Sequence, residues 1–541
     1  MELSNISKVL KGLINWRDFR LKLFAQGILV GIFAGTLVVF FRFILEKAEF
    51  FLQRLYTVLR SGNPLHLLIW GLVLLVIAYF LGIIRERVPQ TAGSGIPQVK
   101  GVVSGHMNMD WLKIIVWKIA GGALAIGAGL SLGREGPSIQ LGAAAGQGIN
   151  RLLGGLKIEE RILITSGAGA GLAAAFSAPL AGVIFALEEL HKNFSPPVLM
   201  SVMAASLTAD FISQHFFGIK PIFDFHVLPV LPFKYYFYLI ILGIVVGVFG
   251  VVFNWALLKT QDIYKKQKVI PPGFHAVFPL LVSILVGLYL PACLSGGNNL
   301  INTLSSGHFS IFMLVILVIV KFLFTVVSYG SGAPGGIFLP LLVIGALSGS
   351  IFGNVVVNWA GVSPDYVNNF IVFAMAGYFT AIVKAPITGS ILITEMTYSF
   401  SHLLPVIIVS IAAYVASDIL NGKPVYDQLL QRMLANKSEF INREDLQKKT
   451  LLEIAVCLGS VCDHQQVKDL KWPANCLLVG VRRGEAEIIP HGETIILAGD
   501  YLNILTNEAQ AANHRKILQS MTENTAKTGP TEKSQRYKEY R

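Results

Sequence analysis

Residues 133–137 read Gly133-Arg134-Glu135-Gly136-Pro137 and place an adjacent cation and anion within a long apolar, glycine-rich stretch. A charge at bilayer depth costs about 2.5–3.5 kcal/mol on insertion scales, so such residues usually line a pathway or pair inside a bundle. The flanking glycines and proline are typical of a broken helix, whose free backbone N–H groups can face an anion. The segment therefore predicts an anion pathway that carries a carboxylate.

The composition indicates an all-α polytopic membrane protein. Hydrophobic residues make up 53% of the 541-residue chain and charged residues 14%, whereas a soluble domain has about 25% charged residues. Apolar runs that are long enough for membrane helices recur, and Gly or Pro breaks several of them. They fall near residues 22–44, 67–84, 111–132, 161–190, 197–217, 234–257, 274–294, 309–329, 338–359, 369–396 and 402–420.

The charge distribution predicts an orientation in the membrane. Basic residues cluster around the start of the first apolar run, so the positive-inside rule places the N-terminus in the cytoplasm. That run lacks a small-residue cleavage site and is interpreted as a retained helix. The net charge of +12 is attributed to basic flanks that orient the spans, so no nucleic-acid partner is predicted. The cysteines lack CxxC spacing, which predicts reduced thiols without a metal site.

The sequence also repeats itself. Ser177-Ala-Pro-Leu-Ala-Gly182 starts an apolar run that ends at Glu188. Lys384-Ala-Pro-Ile-Thr-Gly389 likewise starts a run that ends at Glu395, with the same spacing from proline to glutamate. A glycine- and proline-rich counterpart of the first segment occurs at residues 330–340. Paired broken segments in two halves are typical of a transporter whose site lies at the repeat interface.

The composition changes near residue 431. Residues 434–449 are charged and polar, which indicates a linker or a connecting helix. Beyond them, Cys476–Val481 and Thr494–Ile504 are strand-like and Glu508–Met521 is helix-like, so a small C-terminal α/β cytosolic domain is predicted. The predicted organisation is a cytoplasmic N-terminus (1–20), a transmembrane domain (21–432) with halves at about 21–217 and 234–420, a linker (433–449), a C-terminal domain (450–521) and a disordered tail (522–541).

Four short motifs are spread across the two halves. They are Gly93-Ser94-Gly95-Ile96-Pro97, the 133–137 segment, Gly336-Ile337-Phe338-Leu339-Pro340 and Gly422-Lys-Pro-Val-Tyr426. In this order they resemble the CLC family of chloride channels and chloride/proton antiporters, over roughly residues 20–430. The resemblance implies an inverted repeat with broken helices, chloride as the transported ion, and a homodimer with one pathway in each subunit.

The resemblance further implies a central chloride site, made of the hydroxyls of Ser94 and Tyr426 and the amides of Ile337 and Phe338. The amides of Gly93 and Ser94 would line the inner mouth. Such ligands suit a weakly hydrated anion, because a helix N-terminus carries about half a positive charge and the ion must also be able to leave. In the family, nitrate branches replace this serine by proline and fluoride branches change these loops more widely, so chloride is favoured. Taken alone, Ser94 could be an ordinary turn residue.

The resemblance assigns the outer gate to Glu135, with Arg134 and Gly136 as supporting residues. The carboxylate would compete with chloride for an anion site and swing away when it is protonated. The alternative is a buried Arg134–Glu135 ion pair, although adjacent residues of a helix do not face each other. Lys118 lies seventeen residues before Glu135 and matches a family lysine under the anion path. The alternative interpretation is that the Lys118 side chain extends to the membrane–water interface.

Glu189 matches the position that relays protons from the cytoplasm in the antiporter branch of the family. Glu188 precedes it, and repulsion between neighbouring carboxylates should favour protonation of one of them. The alternative is that both acids mark a helix end at the cytosolic interface. Channels of this family generally lack an acid at position 189, so Glu189 favours exchange over passive conduction.

The C-terminal domain has a resemblance of its own. Leu477-Leu-Val-Gly-Val-Arg-Arg-Gly484, Ile488-Ile-Pro490 and Thr494-Ile-Ile-Leu-Ala-Gly-Asp500 resemble the C-terminal domain of RCK/TrkA potassium-transport regulators. Such domains dimerise, and some bind a small nucleotide effector such as cyclic di-AMP. A dimer-stabilising module without a ligand is the alternative. Individually, Arg482, Arg483 and His491 are interpreted as surface charge and not as ligands of an anionic effector.

The predicted function is a glutamate-gated chloride/proton antiporter in the cell membrane, with both termini cytoplasmic. A passive voltage- or ligand-gated chloride channel is the alternative within the transport class. A potassium-transport component would need carbonyl-lined filter loops such as TVGYG, which the sequence lacks, and a membrane sensor would leave Glu135 unexplained. No P-loop or HExxH motif occurs, and neither an enzyme nor a cofactor is predicted. Gly167-Ala-Gly169-Ala-Gly171 predicts close helix packing and not a dinucleotide loop.

Overall fold

Helices broken by glycine and proline make up most of the chain. The computed structural model describes residues 2–435 and 449–523, apart from residues 61, 193, 226–227, 269, 308, 485 and 508–510 and the side chains of 2–19, 158, 306 and 512. The chain divides into two units, Met1–Arg432 and Met433–Arg541. Most of the linker and nearly all of the tail expected from the sequence lie outside the described residues.

The first half of the membrane unit begins with a long helix that runs through the expected cytoplasmic segment without a break. Later helices start with ordinary caps. For example, Asn63 accepts a hydrogen bond from Leu65 N at 3.0 Å, just before a helix that starts with proline. The helices are α1 (Glu2–Leu59), α2 (Pro64–Arg87), α3 (Ile96–Val103), α4 (Trp111–Gly127), α5 (Glu135–Leu152), α6 (Lys157–Phe176), α7 (Pro179–Phe185) and α8 (Pro196–Phe217), and a π-helical turn (Ala186–His191) follows α7.

The second half repeats this pattern. Its helices are α9 (Tyr236–Lys266), α10 (Val277–Tyr289), α11 (Asn298–Ser306), α12 (Ile311–Gly330), α13 (Phe338–Ala360), α14 (Val367–Val383), α15 (Pro386–Met396), α16 (Leu403–Ile419) and α17 (Val425–Ala435). In the described part of the chain, nine helical segments are long and apolar enough to cross a membrane. The first unit is therefore a polytopic helical membrane protein.

Two of the apolar runs expected from the sequence are pairs of helices. The run at 161–190 breaks at Ser177 and the run at 369–396 breaks at Lys384, with backbone φ angles of 50° and 66°. A residue in the left-handed region ends a helix. Pro179 and Pro386 then begin α7 and α15, because proline is well suited to the first turn.

Close helix packing is built from glycine. Gly142 of α5 and Gly167 of α6 face each other so closely that a Cβ on either would overlap the other's carbonyl oxygen. The backbones of these helices can approach only because both residues lack a side chain. The Gly167–Gly171 segment thus lies within a packed helix, as the sequence predicted.

The second unit contains a four-stranded antiparallel sheet and one helix. Its elements are β1 (Lys449–Ala455), β2 (Leu477–Arg483), β3 (Ala486–Ile488), β4 (Tyr501–Asn507) and α18 (Ala511–Thr522). The strands are ordered β1-β4-β2-β3, and α18 packs against β1 and β4. Apolar side chains from the strands, including Leu452, Val481 and Ile504, form its core.

The strand predicted at Thr494–Ile504 is wrong over its first seven residues. That stretch is a loop, in which Gly499 has a φ angle of 89° and Asp500 accepts a hydrogen bond from Leu497 N at 2.9 Å. Arg483 forms a bidentate ion pair with the same carboxylate, with Nε–Oδ1 and Nη2–Oδ2 distances of 2.8 and 2.7 Å. Burial opposes ionisation of Asp500, but these partners hold the pKa of its carboxyl below the usual value. Arg483 is thus part of the loop structure.

Candidate ion pathway

Loops from both halves of the membrane unit meet in front of α3, α5 and α13. Gly133 and Gly336 exchange two backbone hydrogen bonds, with N–O distances of 2.6 and 2.8 Å. Gly93 donates to Gly332 O at 3.3 Å and accepts from Gly335 N at 3.0 Å. The loops that contain three of the four sequence motifs are therefore tied together through their backbones.

Glycine is required where these loops approach most closely. A Cβ on Gly136 would overlap the hydroxyl and carbonyl oxygens of Ser94, and a Cβ on Gly336 would lie 3.0 Å from the Gly136 nitrogen. Pro137 and Pro340 are each the third residue of their helix, where the missing N–H breaks no intrahelical bond. The positive ends of α5 and α13 consequently converge on one small region.

The buried polar atoms without a hydrogen-bond partner among the described residues include Ser94 Oγ, Tyr426 Oη and Glu135 Oε1. The Tyr426 side chain lies within electrostatic range of both Glu135 and Glu189. Buried polar groups in folded proteins are nearly always paired, and an unpaired group calls for an explanation such as a bound ion. Hydroxyl donors beside helix N-termini are suited to an anion.

The predicted amide ligands occupy the start of α13. Ile337 precedes this helix and Phe338 begins it, so their N–H groups belong to a turn without intrahelical acceptors. Both residues are fully buried, and the Phe338 ring is fixed between Phe176 and Phe379, with ring centroids 5.3 and 4.6 Å away. Unlike the N–H groups of Ile337 and Phe338, the Gly93 N–H already donates a hydrogen bond to the backbone of a neighbouring loop.

Glu135 is the first residue of α5 and is completely buried. Its Oε2 accepts a hydrogen bond from Leu339 N at 3.4 Å. The guanidinium of Arg134 turns instead to Glu46, with 3.5 Å between Nη1 and Oε1. In the described residues, the alternative Arg134–Glu135 ion pair does not form, and the Glu135 carboxylate is held by backbone N–H groups instead.

A cavity of about 280 Å³ lies beside Glu135. Its lining includes Arg134 and Leu339, which adjoin the Glu135 carboxylate, and the acids Glu46 and Glu49 of α1. The approach to this end of the pathway therefore carries charges of both signs. Sequence reasoning did not find the α1 acids. The available signal was two acids three residues apart, which lie on one face of an otherwise apolar helix.

Two buried lysines hold the loops that precede the broken helices. Lys118 is fully buried, and its Nζ donates to Thr91 O at 2.9 Å and Gly93 O at 2.8 Å. Lys321 donates in the same way to Cys293 O at 3.0 Å and Ser295 O at 2.8 Å. Lys118 therefore does not snorkel to an interface. The role of Lys321 was missed, although it precedes Phe338 by seventeen residues, as Lys118 precedes Glu135.

Glu188 and Glu395 form crossed helix caps between the two halves. Glu188 Oε2 accepts hydrogen bonds from Thr388 N at 2.7 Å and Thr388 Oγ1 at 2.6 Å, at the start of α15. Glu395 accepts from Leu180 N at 3.1 Å and Ala181 N at 2.7 Å, at the start of α7. Each half therefore supplies the negative charge for a helix N-terminus of the other half.

We expect Glu395→Gln to lower the melting temperature of the detergent-solubilised protein. Hydrogen bonds to a charged group contribute about 1.5–3 kcal/mol each, so losing one and weakening the other should cost about 2 kcal/mol. Stability would be followed by heating and size-exclusion chromatography. The exposed Glu86→Gln is the matched control, and an equal melting temperature for both variants would contradict the capping role.

Glu189 has different partners from its neighbour. Its Oε1 lies 2.7 Å from Lys100 Nζ, and the same lysine also pairs with Asp427. The mutual repulsion expected between Glu188 and Glu189 is therefore not the main interaction of either group, because the two carboxylates are engaged by different elements. Sequence reasoning missed Lys100 and Asp427, although each lies in or beside one of the four motifs.

Broken helices from two repeated halves, which meet around buried and unpaired hydroxyls, define a polytopic ion-transport protein. Comparison with known protein families identifies the family of transport proteins. Residues 80–418 match the family model described as voltage gated chloride channel, and residues 451–519 match the TrkA-C domain. The chain belongs to the voltage-gated chloride channel (CLC) family. Both resemblances found in the sequence are confirmed, together with the predicted fold class of a helical membrane unit and a small α/β domain.

Named relatives agree with this assignment. The H(+)/Cl(-) exchange transporter ClcA of Vibrio cholerae serotype O1 is 34% identical over 442 residues, which cover 77% of this chain and 91% of the relative. The Yersinia pestis bv. Antiqua protein of the same name is 32% identical over 451 residues, covering 80% and 92%. Among solved structures, a slow cyanobacterial Cl⁻/H⁺ antiporter is 30% identical with a TM-score of 0.74, covering 77% of this chain and 99% of that one. The fold is also that of a CLC-type fluoride/proton antiporter, at 24% identity and a TM-score of 0.63.

Proposed function

We propose that this protein exchanges chloride for protons across the membrane, with Glu135 as the gate. The proposal rests on unpaired buried oxygens that share one neighbourhood. The Ser94 hydroxyl lies against Gly136 of α5, the Glu135 carboxylate accepts from Leu339 N of α13, and the Tyr426 hydroxyl lies within electrostatic range of Glu135. A chloride ion there would receive hydrogen bonds from both hydroxyls and from the first amides of α13. Uncharged ligands of this kind bind the ion without trapping it, so it can also leave.

Glu135 couples the two ions because its carboxylate and chloride are anions that compete for the same helix-terminal donors. In the charged form it accepts from Leu339 N and blocks the pathway. When protonated it loses its attraction to the positive helix end, moves away, and chloride takes its place. Each cycle of this kind binds and releases one proton as chloride passes the same point.

The proton is proposed to reach Glu135 from the Glu189 side. Glu189 is buried, with 6% of its side chain exposed, and Tyr426 lies within electrostatic range of both acids. A buried acid on this side supports exchange over a passive chloride channel, which needs no proton acceptor there. The passive channel remains the second candidate, because an unpaired hydroxyl site and a glutamate gate would serve it equally well.

The remaining assignments rest on the family resemblance. We propose a homodimer with one pathway per subunit in the cell membrane, with N- and C-termini in the cytoplasm. The TrkA-C domain is proposed to regulate transport, with cyclic di-AMP as a candidate effector and a ligand-free dimerisation module as its alternative. The domain boundaries proposed from the sequence are retained.

The wild-type protein in liposomes gives the decisive test. An outward chloride gradient should drive protons uphill into the vesicles, because an exchanger couples the exit of chloride to the entry of protons. A chloride electrode and a pH-sensitive dye would record both ions in the same preparation. Chloride efflux without any proton uptake would instead identify a passive channel, and vesicles that retain their chloride would exclude both functions.

A further inference from the structure

A charge cluster is formed by Lys100, Glu189 and Asp427. Its lysine, Lys100, has no role in the function proposed so far. Lys100 shares its ammonium between Glu189 and Asp427. The side chains of Lys100 and Glu189 are only 7% and 6% exposed. Opposite charges interact more strongly in such a site than on a surface, because water does not screen them.

The surroundings of Glu189 leave Lys100 as its one direct cationic partner among the described residues. Glu188, on the same π-helical turn, is turned to α15. The other charged and titratable groups facing the cluster are Asp427 and Tyr426 from α17 and Lys192 after the turn, and His191 bonds to Thr165 of α6 and lies near Arg161.

We propose that Lys100 is a positioning residue that controls when Glu189 can take up a proton. The inference rests on the proposed role of Glu189 in exchange. A cation 2.7 Å away stabilises the charged carboxylate and disfavours its protonation. Proton uptake is therefore favoured when the ammonium leaves Glu189 and keeps only its existing contact with Asp427.

Asp427 makes this possible, because its half-buried carboxylate offers the ammonium a second acceptor, so that the ammonium does not have to return to water. It is also held from the other side by Lys192, at 3.2 Å from its Oδ2. Asp427 directly follows Tyr426 in α17. The cluster is thus attached to the element that carries a proposed chloride ligand, which links the position of the cation to the anion site.

The test is the pH dependence of chloride-driven proton transport in liposomes, measured with the full chain at a series of equal inner and outer pH values. In Lys100→Met the carboxylate loses its cation, so Glu189 protonates more readily. The alkaline limb of the profile should move to higher pH by about one to three units, the range for an adjacent opposite charge. Asp427→Asn removes a competing anion, which leaves Lys100 to Glu189 alone, and should move the same limb to lower pH.

Matched controls come from an exposed pair of the same type. Lys113 and Asp110 are paired at 3.0 Å on the surface, and Lys113→Met and Asp110→Asn should leave the profile unchanged. Opposite shifts in the two cluster variants support the proposal. A Lys100→Met profile that overlies the wild type, or shifts of both variants in one direction, would overturn it and leave Lys100 as a structural ion pair. If Lys100→Met cannot be purified, the sign of the Asp427→Asn shift decides alone.

Failure of the inference and failure of the proposed function have different signatures. A wild-type protein that moves chloride without protons would remove the exchange function, and no variant would then be needed. A wild-type protein that couples the two ions, with an unaltered profile in Lys100→Met, would refute the role of Lys100 and leave exchange intact.

Discussion

Glu135→Ala is expected to pass chloride while proton transport falls to the leak of protein-free vesicles. Removing the carboxylate removes both the competitor for the helix-terminal donors and the group that carries the proton through the centre. Chloride would fill the site left by the carboxylate, so its passage should continue. The measurement is simultaneous recording of both ions in liposomes under a chloride gradient.

Two further variants test whether the expected loss of coupling is specific to the Glu135 carboxylate. Glu135→Gln imitates the protonated side chain in nearly the same volume, and it should also uncouple the ions. Glu86→Ala removes an exposed acid that lies outside the pathway, and it should keep the wild-type ratio of protons to chloride. Persistent uphill proton movement in Glu135→Ala would mean that another group carries the proton, and the proposed gate would be withdrawn.

Glu189→Gln is expected to stop proton transport and to leave a substantial chloride flux. The amide keeps the size of the side chain and can still accept a hydrogen bond from Lys100, but it cannot bind and release a proton at physiological pH. Glu189 pairs with Lys100, whereas Glu135 accepts from Leu339 N at the start of α13, so the change should leave the anion site itself intact. Calorimetric titration with chloride would check that anion binding is retained.

The neighbouring Glu188→Gln is an unusually close control. Glu188 caps α15 through Thr388, so its loss should lower the melting temperature without altering the ratio of protons to chloride in the protein that remains folded. If Glu188→Gln uncouples the ions and Glu189→Gln does not, the assignment of the two acids must be exchanged. If coupled transport survives in both, the proton takes a different route.

Much of the fold could be predicted from the sequence, because its signals are local or periodic. Runs of apolar residues indicate membrane helices, and Ser177-Ala-Pro and Lys384-Ala-Pro mark helix breaks by backbone chemistry alone. The order of the glycine- and proline-rich motifs was enough to indicate the family. Where a local signal was ambiguous, prediction failed, as in the apolar, β-branched stretch before Asp500. There Gly499 and the Arg483–Asp500 ion pair form a loop.

The sequence by itself determined the membrane class, the duplication, the family and the candidate acids, since each of these depends on the identity and spacing of residues close together in the chain. Only the tertiary structure decided which partner each acidic side chain interacts with. Glu188 and Glu189 are neighbours in sequence, yet one caps a helix of the other half and the other pairs with Lys100. The physical reason is that strong polar partners inside a membrane protein are brought together by the packing of the two halves, and no local pattern specifies them.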